Sequence, residues 1–173
     1  EIVVADFNKD GRADAFFANH GYDAAPFPGA RNALFLSSGA TGLTNATSRL
    51  PSLADFSHTA AAGDIDGDGD IDLYVGNYNG GTEEAPYFLI NDGAANFTLS
   101  RTGLPAAITA GQYNSPTSLL FDADGDGDLD LLLTPNETQS QNARLLRNDG
   151  KGAFTALSAF AMPKNGATET VID

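Results

Sequence analysis

The sequence predicts an all-β fold of repeated four-stranded antiparallel units, on three observations. Nineteen glycines and eight prolines punctuate 173 residues, a composition of frequent turns. No window carries apolar residues at helical spacing over about ten positions or more. An acidic motif occurs three times, starting at Asp6, Asp64 and Asp122, so that each copy begins 58 residues after the one before. A period near 50 residues marks propeller blades or an array of stacked repeats.

Each unit shows the same order of elements. An extended run leads into the motif: Ile2-Val3-Val4, Thr59 to Ala62, Ser118 to Phe121, and again Glu169 to Ile172. The small residues Ala60, Ala61 and Ala62 suit a crowded innermost strand. An apolar run follows the motif as Ala15-Phe16-Phe17, Leu73-Tyr74-Val75 and Leu131-Leu132-Leu133. A variable polar stretch comes next, containing Tyr22, Pro26 and Pro28, then Asn77 to Pro86, then Asn136 to Asn142. The third strand reads Leu34-Phe35-Leu36, Tyr87 to Ile90 and Leu145-Leu146. Turns at Ser38-Gly39, Asp92-Gly93 and Asp149-Gly150 then supply the positive φ of a tight hairpin. The fourth strand reads Leu43-Thr44-Asn45, Phe97-Thr98-Leu99 and Phe154-Thr155-Ala156.

Four short strands joined by hairpins make one propeller blade. The units fall at residues 1–58, 59–116 and 117–173 of a single domain, the number the length predicts. Asp173 reads as the first residue of a fourth motif. About three blades are too few to close a ring of roughly four to eight. The expectation is an incomplete propeller or a segment of a longer one, with remaining blades or neighbouring subunits covering its open ends. The start at Glu1, without a signal peptide, reads as a processed product or an excerpt.

The formal net charge is −14, which argues against nucleic-acid backbones and anionic membrane surfaces as partners. There is no cysteine, hence no disulfide framework and no zinc-thiolate site. No apolar run reaches the length that spans a bilayer. Thirteen of the 23 acidic residues lie inside the three motifs. Carboxylates so crowded repel one another unless cations sit among them.

The motifs read Asp6-Phe7-Asn8-Lys9-Asp10-Gly11-Arg12-Ala13-Asp14, Asp64-Ile65-Asp66-Gly67-Asp68-Gly69-Asp70-Ile71-Asp72 and Asp122-Ala123-Asp124-Gly125-Asp126-Gly127-Asp128-Leu129-Asp130. Calcium takes six to eight hard oxygen ligands. Side chains at positions 1, 3 and 5 converge if the chain curls, and the glycine at position 6 permits the curl. Position 7, occupied by Arg12, Asp70 or Asp128, offers a backbone carbonyl. Position 9 closes the site with a carboxylate. One Ca²⁺ in each loop would bring the net charge of −14 to about −8. An EF-hand needs a bidentate Glu at position 12, where this chain has Phe17, Val75 and Leu133. Loop 1 has Asn8 in place of an acid and carries Lys9 and Arg12, so it is expected to bind most weakly.

The equally spaced loops, each followed by a strand, resemble those of FG-GAP/VCBS-repeat calcium-binding β-propellers, including the propeller repeats of integrin α-subunits. Phe-Gly and Gly-Ala-Pro signatures are not evident, which sets the resemblance nearer the bacterial VCBS branch. It implies a calcium-stabilised propeller in which each ion pins a hairpin.

The only histidines, His20 and His58, stand in no metal or triad spacing and are expected at strand edges or in solvent. No G-x-S-x-G elbow or P-loop occurs, so no catalytic residue is assigned. The leading functional expectation is a non-catalytic extracellular or cell-surface module for adhesion, display or assembly, since loops of this kind fill at the millimolar calcium outside cells. A carbohydrate-binding lectin is the alternative, with Tyr22, Phe27, Tyr78 and Tyr113 as stacking rings and Asn77 to Gly81 as the most lectin-like stretch. A non-catalytic part of a secreted polysaccharide-active or redox enzyme is the third reading. A protein or glycan ligand would bind on the rim. Asn45, Asn96 and Asn136 head N-x-[ST] sequons.

Overall fold

The computed structural model describes residues 1–25, 27–77, 85–110, 117–134 and 143–160. Pro26, Tyr78, Tyr113, Asn136, the strand expected at Glu169 to Ile172, and Asp173 lie outside the described residues. The chain forms three four-stranded antiparallel sheets. Sheet 1 comprises β1 (Ile2–Ala5), β2 (Asp14–Phe17), β4 (Ala33–Ser38) and β5 (Gly42–Asn45). Sheet 2 comprises β7 (Ser57–Gly63), β8 (Asp72–Asn77), β9 (Tyr87–Asn91) and β10 (Phe97–Ser100). Sheet 3 comprises β11 (Thr117–Phe121), β12 (Asp130–Thr134), β13 (Ala143–Asn148) and β14 (Phe154–Phe160). Each expected strand within the described residues appears in the expected order, and each sheet has the form of a propeller blade.

The register follows from one face of each strand being apolar. In sheet 2, Ala62 pairs with Leu73 and Ala60 with Val75, while Leu73 pairs with Leu89 and Val75 with Tyr87. This face packs on Phe16, Leu34 and Leu36 of sheet 1. The opposite face, with Tyr74 and Phe88, packs on Leu131, Leu133 and Leu146 of sheet 3. The middle sheet is therefore covered on both sides, and every residue of β8 is buried. The innermost strand β7 lies between β1 and β11. Close approach there demands small side chains. A Cβ on Gly63 would meet the side chains of Leu129 in the third acidic loop and Leu120 of β11, and Thr59 Oγ1 lies 2.8 Å from Ser118 Oγ across the β7–β11 contact.

Among the described residues the three sheets do not close a ring. The outer face of sheet 1 leaves Ile2, Val4 and Leu43 exposed, and that of sheet 3 leaves Leu119, Phe121 and Leu157 exposed. Beyond the expected strands there is a short ladder of β3 (Ala30–Arg31) with β6 (Ala54–Asp55). It frames a buried polar network joining sheets 1 and 2. Ser57 Oγ donates to Asp55 Oδ1 at 2.7 Å, and Asn32 Nδ2 donates to Ser57 Oγ at 3.0 Å and to Tyr87 Oη at 3.1 Å. Burial, then the charge of Asp55, pushes the Tyr87 phenol well above its usual range. A buried carboxylate needs such a set of donors.

Candidate metal centres

Each acidic loop joins the innermost strand of a sheet to the second strand: β1 to β2, β7 to β8 and β11 to β12. Aspartate at position 1 organises all three loops by accepting backbone N–H groups, as short acidic side chains do in turns. Asp64 Oδ1 accepts from Gly67 at 2.8 Å and Oδ2 from Gly69 at 3.0 Å. Asp122 repeats this with Gly125 at 2.7 Å and Gly127 at 3.1 Å. Asp6 accepts from Asp10 at 3.1 Å and Gly11 at 2.7 Å. The position-6 glycines Gly11, Gly69 and Gly127 have φ of 80°, 83° and 93°, the left-handed conformation that glycine adopts without strain. Position 4 is left-handed too: loops 2 and 3 place Gly67 and Gly125 there, whereas loop 1 forces Lys9 to a φ of 57°.

In loop 2, carboxylate oxygens of Asp64, Asp66 and Asp72 lie within 4.8 Å of one another. In loop 3 the same holds for Asp122, Asp124 and Asp126. These two triads could hold a metal ion, and their all-carboxylate donor set fits a hard cation. Loop 1 assembles no such triad among its acids. Asn8 Nδ2 donates to Asp10 Oδ2 at 3.2 Å, and the Arg12 guanidinium pairs with Asp10 at 2.7 Å.

The remaining loop residues have other partners. Asp70 pairs with Lys9 of loop 1, so position 7 of loop 2 ties two loops together. Asp70 and Asp128 also rest on the hairpin turns of their own sheets, where a Cβ on Gly93 or Gly150 would strike the carboxylate. Asp68 Oδ1 accepts from the Asp70 N–H at 2.8 Å. In loop 3, Arg147 bridges two members of the triad, with Nε 2.6 Å from Asp124 and Nη2 2.7 Å from Asp126. The Asp128 N–H, then Arg147, lowers the pKa of Asp126, and Asp126 raises that of Arg147.

Position 9 is a buried strut. Asp14, Asp72 and Asp130 are 1 %, 0 % and 0 % exposed. One oxygen of each accepts the N–H of position 2: Phe7 at 3.0 Å, Ile65 at 3.0 Å and Ala123 at 3.2 Å. The other accepts from the third strand: Ser37 at 2.8 Å, Asn91 at 2.8 Å and Asn148 at 2.9 Å. Burial pushes the Asp72 carboxyl up to about 6 despite both hydrogen bonds. Burial, then Asp68, likewise raises Asp66. Both shifts come first from burial, which disfavours the charged carboxylate.

Sequence reasoning passed over Asn91 and Asn148. Their signal was the Asn that precedes the Asp-Gly turn in units 2 and 3, which stands out only when the units are superposed. It also missed the histidine pair: His20 and His58 are half-buried, with ring centroids 5.9 Å apart, and His20 lies 5.0 Å from Phe56. Thirty-eight residues separate them in the chain, so only the fold brings them together.

Stacked four-stranded antiparallel sheets with an acidic loop in each innermost hairpin define a repeat module of propeller-like blades. A model of the FG-GAP-like repeat matches residues 6–75 and 122–172, and the chain belongs to that family. No curated protein matches it.

Proposed function

We propose that this chain is a calcium-stabilised, non-catalytic propeller module of an extracellular or cell-surface protein, serving adhesion, display or assembly. The observation that carries the reading is the convergence of Asp64, Asp66 and Asp72 at the innermost hairpin of the central sheet. Those carboxylates would hold Ca²⁺ in loop 2, and Asp122, Asp124 and Asp126 would hold it in loop 3. Loop 1 would take an ion through Asp6, Asn8, Asp10 and Asp14 only after Asp10 leaves Arg12, which makes it the weakest site. Oxygen ligands on a solvated rim suit ions at millimolar concentration. The ions' role is structural: each pins two strands by their shared turn.

Further four-stranded blades, from the same chain or a neighbouring subunit, are proposed to cover the apolar outer faces at Ile2 and Val4 and at Leu119 and Phe121, since exposed faces of this kind favour association. A ligand would meet the rim loops. Of the rings that could stack on a sugar, Phe27 sets its edge against Phe56 at 5.4 Å. Among the described residues of that set, only Tyr22 is largely exposed, at 73 %.

Thermal melting in millimolar calcium and in EDTA tests the proposal. An ion at a hundredfold over its dissociation constant adds about 2.7 kcal/mol, so EDTA should lower the melting temperature by several degrees. An unchanged melting temperature sinks the calcium reading.

A further inference from the structure

We propose that Asn91 and Asn148 are positioning residues that couple ion occupancy of neighbouring loops, so that the loops fill cooperatively. The inference rests on the calcium reading above. Both asparagines are 3 % exposed and end the third strand of their sheets. Asn91 Nδ2 donates to the Phe7 carbonyl of loop 1 at 2.8 Å and to the Ile71 carbonyl of loop 2 at 3.0 Å. Asn148 Nδ2 donates to Ile65 of loop 2 at 2.8 Å and to Leu129 of loop 3 at 3.2 Å. One side-chain amide thus spans each pair of adjacent loops. The Ser37 hydroxyl, at the corresponding place in sheet 1, donates to the Ala13 carbonyl of its own loop.

The backbone completes the connection. Each asparagine N–H is held by the position-9 aspartate of its own loop, which also holds the position-2 N–H there. Buried hydrogen bonds therefore run from Asp14 through Asn91 and Asp72 to Asn148 and Asp130. Of the accepting carbonyls, those on the preceding loop belong to Phe7 and Ile65, which sit between ligand positions 1 and 3 of their loops. Drawing Asp64 and Asp66 onto an ion fixes the Ile65 peptide between them. That orients the Asn148 amide and, through it, the Leu129 carbonyl beside Asp130. Ordering one loop reduces the entropy lost in ordering the next, which is positive coupling. Direct electrostatics has the opposite sign, because an ion in one loop repels an ion in the next.

The test uses the full 173-residue chain, ¹⁵N-labelled and titrated with calcium chloride. The amides of Gly11, Gly69 and Gly127 report the three loops separately, since each donates to the first aspartate of its own loop. Asp66→Ala silences loop 2 and is expected to weaken calcium binding at loops 1 and 3 by about fivefold or more. In an Asn91→Leu background, Asp66→Ala should leave loop 1 unchanged and still weaken loop 3 through Asn148. Should Asn91→Leu not fold, Asn91→Ser supplies the comparison, because a hydroxyl reaches one carbonyl but not both. Loop 1 and loop 3 affinities indifferent to Asp66→Ala, or loop 1 coupling that survives loss of Asn91, would overturn the proposal while leaving the calcium reading in place. No glycine shift at any loop would overturn the calcium reading itself.

Discussion

Replacing Asp72 by Asn isolates the effect of a carboxylate wholly inside the protein. Asp72 is 0 % exposed, and burial pushes its carboxyl from the ordinary 3.8 up to about 6. Folded Asp72 therefore holds a proton more tightly than unfolded Asp72. Its contribution to stability is fully present below pH 3.8 and is lost as the pH rises through about 6. That interval is worth about 3 kcal/mol, or roughly 6–12 °C in a domain of this size. Asp92, Asp126 and Asp149 are lowered by hydrogen bonds and change stability in the other direction, losing it on acidification. The wild-type profile alone mixes the two effects, so the measured quantity is the difference between wild type and Asp72→Asn. Circular-dichroism melts from about pH 4 to about pH 8 in EDTA should show wild type losing stability relative to the variant. In millimolar calcium the cation favours the ionised carboxylate, and wild type should instead gain on the variant as the pH rises. Parallel profiles in EDTA would refute the claim that burial of Asp72 outweighs its two backbone hydrogen bonds.

Arg147→Gln removes the guanidinium that bridges Asp124 and Asp126. Calcium then no longer competes with a guanidinium for these carboxylates, so it should bind loop 3 a few-fold more tightly, read by the Gly127 amide. Gly67→Ala would place a Cβ 2.5 Å from the Gly150 carbonyl oxygen at a φ of 79°, so strain and overlap together should cost about 2 kcal/mol or more. A chemical-denaturation midpoint equal to wild type would show that loop 2 does not press on the turn of sheet 3.

The repeat was legible because three constraints coincide on it. Negative charge at alternate positions, glycine where φ is positive and an apolar run after each loop recur with one period, and each has a physical cause. Strand order followed from that period. The β3–β6 ladder was not legible, because Ala30–Arg31 and Ala54–Asp55 are two-residue strands whose pairing is set by the buried network around Asp55. The motif named the candidate ligands but not their division of labour. The pattern sets position 9 apart as a closing carboxylate but does not show that it is a buried strut in every loop. Nothing in it shows that Asp70 turns toward Lys9 rather than toward Asp64.

That division explains how three copies of one motif become unequal sites. A carboxylate cluster binds a cation against whatever already neutralises it, and here each loop stands in a different relation to the basic side chains. Arg12 pairs with Asp10 within loop 1, and Arg147 comes from β13 to bridge Asp124 and Asp126 in loop 3. Lys9 reaches loop 2 but pairs with Asp70, outside the triad. Among the described residues no ion pair reaches Asp64, Asp66 or Asp72. The loop flanked by a blade on either side thus has the least compensated charge, and it is the loop to which both bridging asparagines connect. An ion there would stabilise the two interfaces of the central sheet together, whereas an ion in either outer loop would reach one.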